Sequence, residues 1–323
     1  MSGPTQSYLR VHYELRPAKQ VERHMLVDAL HHLAASGFPI REYQYTGMGS
    51  VYFVDFMLFH RALGLQRMLS VEHDPNARRR VEFNKPYEFV QTHIGEVGGV
   101  IPDLDPTARH ILWLDYDSIL QASHLQDSAL ATAHLLPGSI VLVTVDTGPP
   151  GEGVSLTGAA SSNGAREWRD YYVSVAGQYL GADPPLGEFA REKLPAANAR
   201  ALLGALRDGL VGRPGLRFMQ LFCFQYADGA RMLSVGGMVV STAEERRVRG
   251  SALMAAPYVR TDLRDGPYEI RVPRITRKER IYLDSHMPCP DDWRPRAFEL
   301  KKEDAQAYRE VYRFYPNYAE LLL

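Results

Sequence analysis

Glycines and acids stand at the ends of successive apolar runs in this chain: Gly47 and Gly49, Glu72, Glu96, Asp115 with Asp117, and Asp146. Each residue type has a task it performs well in such a place. Two glycines spaced by one residue let the backbone turn sharply and approach a ligand, and a helix beginning just beyond offers unpaired N–H groups. Segment 43–49 is such a turn, with Tyr43 and Tyr45 leading in and an apolar stretch, 51–63, closing on Gly64. Glu72 follows the run 68–71 roughly twenty residues after the glycines, where a carboxylate accepts hydrogen bonds from both hydroxyls of a ribose. Glu96 suits either an adenine amino group or an exposed loop, and both readings stand. Asp115 and Asp117 follow the continuously apolar 111–114, and Asp146 closes the strand-like 139–145. These three are the catalytic candidates. Such carboxylates take up a proton from a reacting hydroxyl or hold a divalent cation, and the metal-free site is the preferred reading.

Those tips meet only if strands and helices alternate. Pro17 fits the first turn of a helix carrying Val21, Met25, Leu26, Ala29, Leu30 and Leu33 at helical spacing, ended by Gly37 and Pro39. Arg10, Arg16, Lys19 and Gln20 at its start read as solvated charges in preference to an anion-contact cluster. His24, His31 and His32 form no ligand pair four residues apart and read as surface residues, so no metal site is expected. Asp74 reads as a helix cap, with Pro75 in the first turn and Arg78, Arg79 and Arg80 on a solvated face. A third strand is expected over 88–94, and a helix through 129–136 stops at Pro137-Gly138. Further helices cover 166–180 and 196–210. Asp228-Gly229 then turns a hairpin within 216–241. The order predicts an α/β fold: a parallel sheet that finishes in an antiparallel hairpin. Its boundaries are a helical segment at 1–40, a Rossmann-like cofactor-binding domain at 41–242 and a C-terminal α-rich extension at 243–323. Segment 148–164, rich in Gly, Ser and Pro, reads as a lid over the crevice or as a plain connection.

Bulk properties narrow the classes. The net charge of -1 argues against a dedicated nucleic-acid coat, although it leaves room for a local basic groove. Two cysteines, Cys223 and Cys289, are too few for a disulfide scaffold or a cysteine-rich zinc site. No long uncharged apolar run is present, so a cytoplasmic protein without a membrane partner is expected. The last eighty residues carry Arg246, Arg247, Arg249, Arg274, Arg277, Lys278 and Arg280, with Tyr308, Tyr312, Phe314, Tyr315 and Tyr318. Arginine interleaved with aromatics suits nucleic acid, but at helical spacing Tyr308, Tyr312 and Tyr315 read first as the packed face of a closing helix.

With these residues in place the chain resembles the class I S-adenosylmethionine-dependent methyltransferases, and within them a bacterial group labelled O-methyltransferases. The resemblance rests on Tyr45-Thr-Gly-Met-Gly-Ser-Val-Tyr-Phe-Val-Asp-Phe56, Ser70-Val-Glu72, Phe83-Asn-Lys-Pro-Tyr87 and Trp113-Leu-Asp-Tyr-Asp117. It implies a seven-stranded sheet, with S-adenosyl-L-methionine bound over Gly47 and Gly49 and flanked by Tyr45, Thr46 and Ser50. It also implies ribose on Glu72, adenine near Glu96, and Asp115 near the donor's amino-acid end or its methyl. Tyr45 departs from the usual motif, which has an acid two residues before the first glycine. No substrate-class tetrad follows Trp113, so the acceptor stays open. O-methyl transfer is the expected activity; a non-catalytic binding module and a nucleic-acid-modifying methyltransferase are the alternatives.

Overall fold

The computed structural model describes residues 16–49, 51–149, 162–181 and 183–317. At its centre is a sheet of eight strands: β1 (Gln44–Met48), β2 (Arg67–Glu72), β3 (Val90–Ile94), β4 (His110–Ile119), β5 (Ile140–Asp146), β6 (Leu216–Asp228), β7 (Ala230–Ser241) and β8 (Tyr268–Ile270). They lie side by side in the order β3-β2-β1-β4-β5-β7-β6-β8. Strands β3 to β5 pair in parallel, and β7 runs antiparallel to both its neighbours, β5 and β6. The chain thus builds outward from β1 to β2 and β3, then returns to place β4 on the other side of β1. That reversal leaves a crevice at the carboxyl ends of β1 and β4.

Ten helices among the described residues flank the sheet: α1 (Pro17–Ala35), α2 (Val54–Leu63), α3 (Arg78–Asn84), α4 (Val97–Val100), α5 (Ala122–His134), α6 (Ser162–Leu180), α7 (Leu194–Asp208), α8 (Thr242–Arg249), α9 (Arg277–Asp284) and α10 (Lys302–Val311). Successive strand residues point to opposite faces, and the central strands are apolar on both. Ile111 and Trp113 join a core with Met25 and Leu30 of α1 and Phe56 and Phe59 of α2. Leu112 and Leu114 join a second core with Leu125 of α5, Tyr172 of α6 and Leu202 of α7. The result is a three-layer Rossmann-like sandwich of the class I methyltransferase kind.

One strand exceeds the seven that the resemblance implies. Residues of the C-terminal extension form β8, which pairs in parallel with β6 from Phe224↔Tyr268 to Tyr226↔Ile270. Three residues between Pro267 and Pro273 are too short to show a period, so tertiary pairing alone makes this strand. The extension also shares the α1-side core through Tyr258, Val311 and Phe314. Tyr308 is fully buried and donates to Asp284 Oδ1 at 2.5 Å, while Tyr312 and Tyr315 are half-buried, so the aromatic series packs. Tyr318 lies outside the described residues. Among those residues no helix is long and apolar enough to cross a membrane.

The first helix is fastened to the hairpin across most of the chain. Asp228, at the tip of β6, accepts from the backbone N–H groups of Ala18 at 3.1 Å and Lys19 at 2.9 Å. Pro17 has no N–H, so this carboxylate satisfies the two free N–H groups that follow it and opposes the positive end of the helix dipole. Asp228→Ala is expected to cost about 1–2 kcal/mol, read as a lower urea midpoint with unchanged slope. An unchanged midpoint would show that the cap carries no weight.

Candidate functional site at the strand ends

Parallel pairing sets the tips in one row. Gly47 lies opposite Ser70 of β2 and Trp113 of β4, Glu72 opposite Ile94 of β3, and Asp115 opposite Thr144 of β5. Gly49 follows β1 directly, Asp146 ends β5, and Glu96 stands two residues beyond β3. The register of β4 and β5 shifts between Asp115 and Ile119, so Ile119 and not Asp117 faces Asp146. Asp117 is correspondingly exposed. Ser50 and most of the candidate lid, 150–161, lie outside the described residues.

At the glycine turn, the space a side chain would occupy is filled from within the fold. A Cβ on Gly47 would stand 2.4 Å from the Tyr45 hydroxyl, and one on Gly49 would stand 2.1 Å from Ser70 Oγ. Tyr45 is fully buried, packs edge-on to Phe56 and Phe59 at 4.9 and 4.8 Å, and donates its hydroxyl to Asp55 in the first turn of α2. A phenol thus occupies the place of the motif's usual acid, and a carboxylate reaches it from ten residues downstream. Burial is the main reason the Asp55 carboxyl sits above its ordinary range, with Arg23 and the Tyr45 hydroxyl opposing it. The helix begins three residues later than the apolar run suggests, because Phe53 takes a left-handed φ of 47° and turns the chain into α2. A bulky residue rarely holds that conformation.

Around Asp115 the charges of α1 come in. Lys19 Nζ donates to Asp115 Oδ1 at 2.7 Å, lies 3.0 Å from Glu22 Oε2, and sits 4.2 Å over the Trp113 ring. Lys19 and Glu22 are fully buried. This corrects the reading of Lys19 as a solvated charge. The signal was present: Lys19, Glu22 and Arg23 fall at helical spacing with Leu26, Leu30 and Leu33 on the face turned to the core. Burial works to raise the Asp115 carboxyl, but Lys19, Arg16 and Arg23 outweigh it and hold it below its ordinary range. Asp146 goes the other way. Burial, with the nearby Asp117 charge, lifts its carboxyl above the ordinary range against a hydrogen bond from the Gly148 N–H at 2.6 Å and the Arg231 charge.

On the β2 and β3 side, Glu72 is 6% exposed and accepts from the Asp74 N–H at 3.1 Å. Its carboxyl is raised by burial despite that bond and the adjacent His73. Exposed Glu96 lies within electrostatic reach of Tyr116 and of half-buried Asp127, which are joined by a 2.7 Å hydrogen bond. Several polar atoms of β1, β2, β6 and α1 are buried without a hydrogen-bond partner: Thr46 Oγ1, Ser70 Oγ, Tyr226 Oη, both Glu22 oxygens, and Arg23 Nε and Nη1. Glu22 meets Lys19 only as an ion pair. Such groups cost roughly 1–3 kcal/mol each when nothing pairs with them. Among the described residues no three His, Cys, Asp or Glu side chains are placed to hold a metal ion. A cavity of about 1190 Å³ lies elsewhere, between α1 and the extension, and none of the strand-end residues lines it.

Residues 11–323 match the family described as "Putative O-methyltransferase". The chain belongs to this family. With the strand order above, it is an S-adenosylmethionine-dependent methyltransferase, and S-adenosyl-L-methionine is its cofactor. No curated protein matches the sequence. Several solved structures are similar to parts of this methyltransferase. Cofactor-bound Rv0187 from MTB is 13% identical, with 67% of this chain and 80% of that one covered at a TM-score of 0.36. Trm1 from Pyrococcus horikoshii, solved with S-adenosyl-L-methionine, is 12% identical, covering 71% and 56% at a TM-score of 0.44. The O-methyltransferase TomG from Streptomyces achromogenes, in complex with SAM, is 14% identical, covering 73% and 94% at a TM-score of 0.35.

Proposed function

We propose that this methyltransferase transfers its methyl group to an acceptor hydroxyl, with Asp146 as the base and Asp115 as a fixed anion at the donor's amino-acid end. The observation that supports this division is the opposite treatment of two carboxyls on adjacent strands, β4 and β5: Asp115 is pushed down and Asp146 up. Two acids whose environments drive them apart are suited to separate tasks, one staying charged and the other exchanging a proton. Bound S-adenosylmethionine supplies a methyl group already activated on sulfur, so the chain's own work is placement and proton uptake. Glu72 suits the ribose hydroxyls and Glu96 the adenine edge. The buried, unpartnered hydroxyls of Thr46 and Ser70 and the polar strand tips beside the Gly47–Gly49 turn fit a ligand lying along the row. Tyr45 supports that turn from below through Asp55.

The test is methyl-labelled S-adenosylmethionine with a panel of phenols, catechols and carboxylic acids, the products being identified by mass spectrometry. An oxygen-methylated product is expected, lost at least 100-fold in Asp146→Asn while S-adenosylhomocysteine binding stays intact. The rate should rise with pH as Asp146 loses its proton, at a pH above the ordinary carboxylate range. Methylation at nitrogen or carbon alone, or an unimpaired Asp146→Asn, would refute this reading.

A further inference from the structure

The large cavity between α1 and the extension has a charge pattern of its own. Three of the arginines that line it are held by backbone carbonyls. Arg260 Nη1 donates to the carbonyls of Pro257 at 2.8 Å and Val259 at 2.9 Å. Arg294 Nη1 donates to those of Asp291 at 3.0 Å and Trp293 at 2.5 Å, and Arg309 Nη1 to that of Trp293 at 3.4 Å. A carbonyl fixes a guanidinium in place without neutralising it. Because Arg294 and Arg309 share one oxygen, their Nη1 atoms stand within about 6 Å of each other, close enough for like charges to repel.

The acids around the cavity leave these charges largely unanswered. Asp28 accepts from the Tyr258 hydroxyl at 2.7 Å, with Arg313 at 3.3 Å and His32 at 3.6 Å from its carboxylate. Glu310 accepts from the Gln306 side chain at 3.2 Å. Asp291 approaches Arg309 only to 3.8 Å, and its side chain is fully exposed where that of Arg309 is 11% exposed. Asp292 and Lys302 are both exposed, and among the described residues neither forms an ion pair. The carbonyl-held guanidiniums thus lie inward, and the acids that could oppose them lie outward. Tyr268 lines the same cavity with Arg260 5.2 Å over its ring, is 6% exposed, and has no hydrogen-bond partner for its hydroxyl.

Such an interior suits a compact group of multiple negative charge. Guanidinium forks match phosphate oxygens, and a tetrahedral phosphate accepts from several directions at once, where a carboxylate offers one plane. The cavity, about 1190 Å³, is far larger than a phosphate, and Ala255, Ala256, Pro257 and Phe314 give it an apolar wall. That leaves room for the organic part of a phosphate ester. We propose that this cavity is a second ligand site, which binds a small phosphorylated molecule through Arg260, Arg294 and Arg309. It lies against the second half of α1 and shares no residue with the strand ends, so it stands apart from the donor and acceptor reading.

The experiment is calorimetric titration of the full chain at low salt with pyrophosphate, ribose 5-phosphate, ribose and citrate. Both phosphates are expected to bind, ribose not to bind, and citrate to bind more weakly than pyrophosphate. Arg294→Gln and Arg309→Gln should each weaken both phosphates about 10–100-fold, the range for losing charge-assisted hydrogen bonds. Asp291→Asn removes the carboxylate that competes for Arg309 and should tighten them by up to about 5-fold, the scale of an exposed ion pair. A damaged fold does not produce that gain. Arg277→Gln, outside the cavity, should change nothing, and every variant should keep its affinity for S-adenosylhomocysteine. Absence of phosphate binding in wild type, equal loss in Arg277→Gln, or no loss in either cavity variant would overturn the site. Citrate binding as tight as that of pyrophosphate would overturn the phosphate assignment.

Discussion

Replacing Lys19 by methionine is expected to lower the free energy of unfolding by about 3–5 kcal/mol, the usual penalty for stranding a buried partner charge. Methionine fills nearly the same volume, so lost packing contributes little. What remains is Glu22, fully buried, and Asp115, with 24% of its side chain exposed, both without their cation. Asp115 has some access to water and Glu22 has none, so most of the cost belongs to Glu22. Adding Asp115→Asn to the variant should restore part of the loss, and a double-mutant cycle measures how much. Urea unfolding followed by circular dichroism gives all four values. A loss below about 1 kcal/mol would mean that water or Arg23 neutralises Glu22 and that Lys19 is dispensable.

Asp115→Asn is expected to weaken S-adenosylmethionine binding about 10–100-fold, the range for losing a charge-assisted hydrogen bond, and to slow methyl transfer by the same factor at subsaturating donor, while the protein stays folded. The fold should survive because asparagine still accepts from Lys19 Nζ, and Lys19 keeps its contact with Glu22. The pH dependence follows from the direction of the shift. Asp115 sits below its ordinary range, so it remains ionised through the mildly acidic region, and its own contribution to donor affinity should stay constant from neutrality down to about pH 5. Its contribution to stability is present above the unfolded-state value and fades as the pH falls through the lower folded-state value. Turnover matching wild type in the variant would remove Asp115 from the site. In a Glu72→Gln background, which removes the raised carboxyl on the ribose side, donor affinity that fell between pH 7 and 5 would contradict the fixed negative charge.

The strand ends were legible because buried parallel strands write continuous apolar runs, as in 111–114 and 140–143, and because a polar residue after such a run has few other places to be. The hairpin was legible from Asp228-Gly229 alone. What stayed hidden depends on neighbours distant in sequence. Lys19 meets Asp115 across 96 positions, and nothing within either segment announces the other. Helical spacing did place Lys19, Glu22 and Arg23 on the apolar face, but a charge on such a face reads as solvated until its partner is known. The glycine turn taught a similar lesson. The turn stands at the end of β1 as its glycines suggested, and the immediate occupants of the space beside them are Tyr45 and Ser70. Strand β8 left no trace, since three residues carry no period.

The clasp between α1 and the β6 tip also bears on how the protein is made. The helix leaves the ribosome first, but the aspartate that holds its start lies about 210 positions later. At roughly 5–20 residues per second, about 10–40 s of synthesis separate the two. Through that interval α1, with Lys19, Glu22 and Arg23 on its inward face, has no hairpin to lean on. Its docking must therefore be a late event, and the crevice stays unfinished until the last central strands have emerged.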